Sequence, residues 1–247
     1  MMGRVRSLTG PQVAFGGSNE WLTIENEFFV IKYHIGQEGD AEEALTCAMW
    51  VRDNTLEKYS HNLNLRVTIT LYSDRDEIRA KEGACTATSH VGSSSANLGI
   101  ISPSWKGSWG GYESLDSPFR RVLNHEYVHC PFYIDLYTKS RGYRDPPSWF
   151  SQGLAEYISG NYLPSYVNRV RESVEQGYFT INEPYTWGIY IVEYMYSDYG
   201  QDRVIDVIKS SAPTFNDALD KELGVAPLEF EDGWRRYIAD KFGVESK

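Results

Sequence analysis

Two histidines and a glutamate near the middle of the chain have the types and spacing that metal-assisted chemistry requires. Residues 125–129, HEYVH, match the pattern H-E-x-x-H. Four residues along an α-helix turn by about 400°, so the imidazoles of His125 and His129 leave the same face and can hold one metal ion. Glu126 lies beside that face, where its carboxylate can take a proton from a metal-activated water and pass it to a leaving amine. Two of the five histidines of the chain fall in this pattern.

A catalytic zinc site also needs a third protein ligand and an open position for water. The segment WFSQGLAEY at 149–157 follows the first motif, and 22 residues separate His129 from Gln152. A glutamine side chain can offer its carbonyl oxygen to a metal, but it carries no negative charge. This next predicted helix is therefore the obvious place for the third ligand, where Gln152 could bind a metal only as a neutral group.

These two segments resemble the signature of the gluzincin metallopeptidases, which is an HExxH helix followed by W-x-x-E-G-x-A-E. Compact peptidase-MA-like domains, aminopeptidases and clostridial collagenases share it. The resemblance covers most of residues 20–243 and is strongest at 117–160. It implies Zn²⁺ held by His125, His129 and position 152, with Glu126 as general base and acid in peptide-bond hydrolysis. No Glu-rich segment like the one that aminopeptidases use precedes the motif, which favours an endopeptidase acting on a peptide or protein.

The chain departs from this signature at Gln152, where the resembling proteins carry a glutamate. Three interpretations stay open. The site works with a neutral glutamine ligand, the protein is a natural pseudoenzyme that binds peptides or proteins without cleaving them, or a glutamate was replaced deliberately. Two histidines and a glutamine leave a zinc site at +2 instead of +1, so metal affinity should fall while the bound water becomes more acidic.

The resemblance also assigns roles to two further residues. Glu156 lies one helical turn after Gln152 and would accept a hydrogen bond from a ligating histidine, with direct metal binding as the alternative. Tyr185 stands in the segment PYTWG at 184–188, which matches a P-Y-x-x-G setting in the aminopeptidases. There the phenol donates to the oxyanion that forms at the attacked carbonyl. The alternative for Tyr185 is a tyrosine that packs at the start of a helix.

The elements that position these residues indicate an α+β fold, with strands first and helices afterwards. Apolar alternation predicts strands and 3.6-residue periodicity predicts helices. The predicted elements of the first half are two short strands or a hairpin in 21–35, a helix over 40–63, a strand at 65–72, a short helix that Gly83 ends, and a strand at 96–101. Those of the second half are a helix opened by Ser117-Pro118, a loop at 131–145, a helix at 149–159 that Gly160 ends, a helix at 185–199, and two or three more in 201–243.

The resemblance arranges these elements as a thermolysin-like domain. We expect a loose segment at 1–18 and one domain at 19–247. Its β-rich upper half, 19–116, would carry a mixed sheet with a packed helix, and its helical lower half, 117–247, would face it across the active-site cleft.

The strand at the rim of that cleft is predicted at 96–101. The resemblance makes its residues Ala96, Asn97, Leu98 and Gly99 an edge that pairs with extended substrate. An ordinary edge strand is the alternative. Trp105, Trp109 and Tyr112 are interpreted as a cover of the core, with lining of the cleft as the alternative.

Composition excludes several classes of function. The formal net charge is −10, which argues against a nucleic-acid partner because phosphate neutralisation needs a basic surface. No apolar run approaches the roughly 18 residues of a membrane span. No secretory signal is visible, so we expect a cytoplasmic protein, or a secreted one if a signal has been removed. Three cysteines indicate no disulfide framework, although one bridge plus a free thiol stays possible. Oligomeric state is not indicated.

Overall fold

The computed structural model describes residues 21–59, 66–92, 94–109, 112, 117–140 and 142–243. The predicted loose segment 1–18 lies outside the described residues. The strands are β1 (Trp21–Glu25), β2 (Phe29–His34), β3 (Val67–Tyr72), β4 (Ala87–Val91) and β5 (Ala96–Ile101). The helices are α1 (Glu38–Tyr59), α2 (Arg75–Glu82), α3 (Pro118–Thr138), α4 (Ser148–Ser159), α5 (Pro164–Glu175), α6 (Pro184–Tyr199), α7 (Gln201–Lys209), α8 (Phe215–Ala218) and α9 (Pro227–Lys241), with a π-helical turn at Leu219–Leu223.

The five strands form one mixed sheet in the order β1-β2-β3-β5-β4. β1 and β2 are an antiparallel hairpin, β2, β3 and β5 are parallel, and β4 is antiparallel to β5. β2 and β3 are parallel because the chain crosses over through α1 between them. After α2 the chain enters β4, which runs opposite to β3, and then turns back into β5, so β5 is again parallel to β3. The predicted α+β arrangement, a mixed sheet with helices after it, is confirmed at this level.

The strand β5 lies inside the sheet, between β3 and β4. The prediction that Ala96, Asn97, Leu98 and Gly99 form an edge was therefore wrong, because both sides of β5 are already paired. β4, which the sequence reasoning missed as a strand in a Ser- and Gly-rich stretch, occupies that end of the sheet. At this end of the sheet, the backbone N–H and C=O groups on the outer side of β4 pair with no other strand among the described residues.

Helix α1 covers one face of the sheet through small side chains. Ala41, Ala44 and Ala48 are completely buried, as are Phe29 and Ile31 on the strand beneath them. Alanine adds little bulk, so a long helix can approach the sheet closely and bury the larger strand residues. This layer forms the core of the upper half.

Helix α3 joins the two apolar cores of the molecule. Leu123 and Tyr127 pack into the sheet core, whereas Val128, Phe132 and Leu136 pack into the helical core. The helix continues through Pro131 to Thr138, so the loop predicted from 131 was wrong at its start. Proline removes one backbone hydrogen bond, but burial of the next two turns keeps the segment helical.

Helices α4 and α6 touch through their backbones at two glycines. A Cβ added to Gly188 would lie 3.0 Å from Cα of Gly153, and a Cβ on Gly153 would lie 2.7 Å from Cα of Gly188. Any side chain would keep the two helices apart. Gly153 and Gly188 lie in the WFSQGLAEY and PYTWG segments named above. The close contact of α4 and α6 is a physical reason for glycine at both positions.

The rest of the helical half packs around this pair. Helix α5, which the sequence reasoning missed, buries only Val170 and Val174, so its apolar pattern is sparse. Cys47, Cys85 and Cys130 are all free thiols, in agreement with the absence of a predicted disulfide framework. None of the helices in the described ranges is long and apolar enough to span a bilayer.

Candidate active site

The two motif histidines face the same side of α3. Their ring centroids are 5.1 Å apart, and His125 and His129 are only 6% and 5% exposed. The shared face follows from the helical period, as the spacing predicted. Because α3 is held on both sides by apolar cores, the backbone that carries the two rings is well anchored.

Gln152 of α4 lies opposite these histidines. Its Oε1 is 3.1 Å from Nε2 of His125, and its amide also acts on the pKa of His129. Two donors on a tetrahedral zinc are about 3.3 Å apart when each bond is about 2.05 Å long, so the observed separation suits a metal ligand pair. The residue that the sequence singled out as a candidate ligand is thus brought to the histidines.

The donor set nevertheless lacks an anion. Across the described part of the chain, no three His, Cys, Asp or Glu side chains are arranged to hold a metal ion. The third group at the histidines is the neutral amide of Gln152. Nδ1 of His129 is buried without a hydrogen-bond partner among the described residues, so the site holds a polar nitrogen whose hydrogen bond is not satisfied. The residues fit zinc in spacing and donor type, although with less charge than a glutamate would supply.

Glu156 lies one turn further along α4 and is completely buried. Its Oε1 lies 3.5 Å from Nδ1 of His125, on the side of the ring opposite to Gln152. This separation permits electrostatic interaction but is too long for a good hydrogen bond. The same oxygen accepts a hydrogen bond of 2.8 Å from the phenol of Tyr112. Glu156 therefore faces the back of a candidate ligand, in the manner expected for an orienting carboxylate.

The charges of the site push the two histidines in opposite directions. Burial disfavours the imidazolium of His125, but the negative charges of Glu156 and Glu126 outweigh it and raise the pKa of that ring. Burial lowers the pKa of His129, and the neighbouring His125 lowers it further. Without a metal, a proton on the pair is therefore favoured on His125 over His129.

Glu126 has the environment of a carboxylate that can hold a proton. Burial raises its pKa, while the nearby His125 and a hydrogen bond with Ser89 lower it again in part. A general base works best when its pKa approaches the working pH, so an upward shift suits this role. Ser89 lies on β4, which means that the end strand of the sheet touches the candidate base.

Tyr185 lies at the open side of the site. It is 43% exposed, and its ring stacks on His125 at a centroid distance of 5.9 Å and an angle of 28°. Burial and the charges of Glu126 and Glu156 raise the pKa of the phenol. It therefore keeps its proton and can donate a hydrogen bond to a ligand. Its predicted role as oxyanion donor stays a prediction.

Two contacts at the site were missed by the sequence reasoning. Tyr112 was interpreted as part of a core cover, yet its phenol contacts Glu156, while Trp109 is indeed buried. Ser89 was given no role. No local signal distinguishes either residue, because each contact joins segments that are far apart in the sequence.

Comparison with known proteins gives similar solved structures but no family. No protein-family model matches the chain, and no curated protein matches it. Among solved structures, the chain is similar to a two-domain M1 zinc metallopeptidase, crystallised as a mutant bound to L-arginine. The identity is 12%, the TM-score is 0.46, and the match covers 89% of this chain and 51% of the other. The chain thus spans about half the length of that protein. The roles considered below rest on the geometry of this chain's own residues.

Proposed function

We propose that this protein is a zinc-dependent peptidase of the gluzincin type, with a thermolysin-like cleft between its sheet and its helices. One observation carries the proposal. Gln152 lies against the first histidine of an HExxH helix, with its Oε1 3.1 Å from Nε2 of His125, and the ring of His129 is 5.1 Å from that of His125. The carboxylate of Glu126 stands next to this cluster on the same helix. Two imidazoles, a carbonyl oxygen and an adjacent base are the side chains that hydrolysis of an amide requires.

His125, His129 and Gln152 are the residues that would hold the zinc ion. When bound, zinc supplies Lewis-acid polarisation of a carbonyl and lowers the pKa of water. Glu156 keeps the ring of His125 facing the site, because a buried carboxylate attracts the Nδ1 proton. A neutral third ligand makes the site a weak binder relative to one with a glutamate.

Glu126 moves the proton in this proposal. Its carboxylate accepts a proton from the attacking water and then returns it to the nitrogen of the leaving amine. The upward shift of its pKa by burial suits this task, since a carboxylate with a raised pKa accepts a proton more readily. Tyr185, half-exposed beside His125, donates its phenol proton in a hydrogen bond to the developing oxyanion.

The substrate we propose is an extended peptide that pairs with β4. This strand ends the sheet, and its Ser89 reaches Glu126, so a chain added to its outer side runs past the candidate base. Backbone pairing gives affinity without reading sequence, and side-chain pockets then set preference. The substrate-binding role first assigned to residues 96–99 passes to 87–91.

The test combines metal analysis with a peptide-library digest. We expect zinc near one equivalent after reconstitution, cleavage of library peptides, and loss of both with a chelator. Glu126→Gln should retain zinc and lose at least about a thousandfold in turnover, in the range that removal of a base and its electrostatic partner costs. A folded protein that takes up no added zinc would refute the proposal.

A second candidate function is a peptide- or protein-binding module that hydrolyses nothing. The neutral amide of Gln152 favours it, because loss of an anionic ligand is a direct way to weaken a metal site. The same digest separates the two functions. Peptides that protect β4 from hydrogen exchange but stay intact in the presence of zinc would favour the binding module.

A further inference from the structure

Tyr112 is a residue near the site to which the proposed chemistry gives no task. Its phenol donates to Oε1 of Glu156 at 2.8 Å, across the junction between the loop before α3 and the middle of α4. That oxygen is also the atom 3.5 Å from Nδ1 of His125. One carboxylate oxygen thus faces both the phenol and the back of a candidate metal ligand.

The Glu156 carboxylate has little other support. It is completely buried, and its second oxygen, Oε2, has no hydrogen-bond partner among the described residues. A buried carboxylate is costly unless donors surround it, so each donor matters for its charge and its orientation. The last side-chain torsion of glutamate is broad and weakly restricted. Without a donor to hold it, the carboxylate can rotate and carry Oε1 away from His125.

We propose that Tyr112 is a positioning residue that holds Oε1 of Glu156 against the ring of His125, and that it thereby raises the zinc affinity of the site. This inference rests on the proposed function, since it concerns the same three ligands. Partners that orient a ligating histidine are worth about 10- to 100-fold in metal affinity when they touch it directly. Tyr112 contacts Glu156 and not the histidine itself, so we expect an effect on zinc affinity at the lower end of this range, about tenfold.

The experiment measures zinc affinity of full-length Tyr112→Phe by competition with a fluorescent chelator. Phenylalanine keeps the ring and removes only the donor. We expect zinc to bind about tenfold more weakly than to the wild type. Glu156→Gln should weaken zinc at least as much, and adding Tyr112→Phe to Glu156→Gln should change affinity less than about twofold, because the phenol acts only through that carboxylate.

The matched control is Tyr143→Phe. Tyr143 is a buried tyrosine whose phenol donates to the carbonyl of Val207 at 2.8 Å, away from the histidines. It should lower stability in unfolding but leave zinc affinity unchanged. An affinity of Tyr112→Phe equal to that of the wild type, or an undiminished effect in the Glu156→Gln background, would overturn the proposal.

A readout without metal separates this inference from the proposed function. In the zinc-free protein at neutral pH, long-range ¹H–¹⁵N spectra of the imidazoles report the environment of each ring nitrogen. We expect Tyr112→Phe to move the Nδ1 signal of His125 and to leave that of His129 in place. Unchanged His125 signals would overturn the positioning role. If the wild type takes up no zinc, the proposed function fails while this measurement still decides whether Tyr112 orients the pair.

Discussion

The contact between α4 and α6 should make Gly188 intolerant of even one methyl group. In Gly188→Ala the new Cβ would lie 3.0 Å from Cα and 3.2 Å from N of Gly153, and closer still to the carbonyl oxygen of Trp149. All three obstructing atoms belong to the backbone of α4, so no side-chain rotation relieves the overlap. The helices must separate instead.

The expected cost follows from two opposing effects. Carbon atoms prefer separations of about 3.5–4.0 Å, so the helices must move apart by roughly 0.5–1 Å. Overpacking of this kind costs about 1–3 kcal/mol, with backbone obstruction at the upper end. Alanine in a helix interior returns about 1 kcal/mol relative to glycine. We therefore expect a net loss of about 2 kcal/mol, which for a chain of this size corresponds to roughly 4–8 °C in Tm.

Urea and thermal unfolding measure this loss, with Gly39→Ala as the matched control. Gly39 is an exposed glycine of α1, and a Cβ there meets no atom within 4 Å. The same substitution should leave stability unchanged or raise it by up to about 1 kcal/mol. Gly188→Ala as stable as the wild type would refute the close contact of the two helices. It would also remove the reason for the positions of Gln152 and Tyr185, which flank that contact.

Three further predictions concern the site, a buried charge and the thiols. Gln152→Glu should tighten zinc by at least about tenfold in chelator competition, since it supplies the missing anion; unchanged affinity would show that position 152 is no ligand. Asp135→Asn should lower the free energy of unfolding in urea by about 1–3 kcal/mol, because it neutralises a fully buried carboxylate 2.8 Å from Nζ of the half-exposed Lys139. Equal stability would mean that the pair contributes nothing. A thiol reagent should label exposed Cys85 first and buried Cys130 only on unfolding, and simultaneous labelling would contradict that order.

Local sequence signals predicted much of the fold. The two short strands in 21–35, the strand at 96–101 and the helices that end at Gly83 and Gly160 all occur as expected. Of the two arrangements left open for 21–35, the strands form a hairpin. Each rests on a short-range cause, either side-chain alternation or a glycine that accepts positive φ: Gly83 and Gly160 have φ of 70° and 67°. Such causes act within a few residues and can be read from one chain.

Errors occurred where distant packing competed with local preference. A loop was predicted from 131, but burial of Phe132 and Leu136 carries the helix through Pro131 for about two more turns. β5 was taken as an edge from the resemblance, and its neighbour β4 was missed as a strand. Strand order is a property of the whole sheet, so no feature within 96–101 indicates whether a partner lies outside it.

The candidate site likewise has one part that the sequence predicts and another that depends on tertiary packing. The helical period by itself put His125 and His129 on one face with Glu126 beside them, because residues four apart on a helix point in the same direction. The tertiary structure alone decided that Gln152 meets those rings, that Glu156 faces His125 from behind, and that Tyr112 contacts Glu156. These contacts join residues 27 to 44 positions apart. They exist because the glycine contact of α4 with α6 and the two cores around α3 fix where each helix lies.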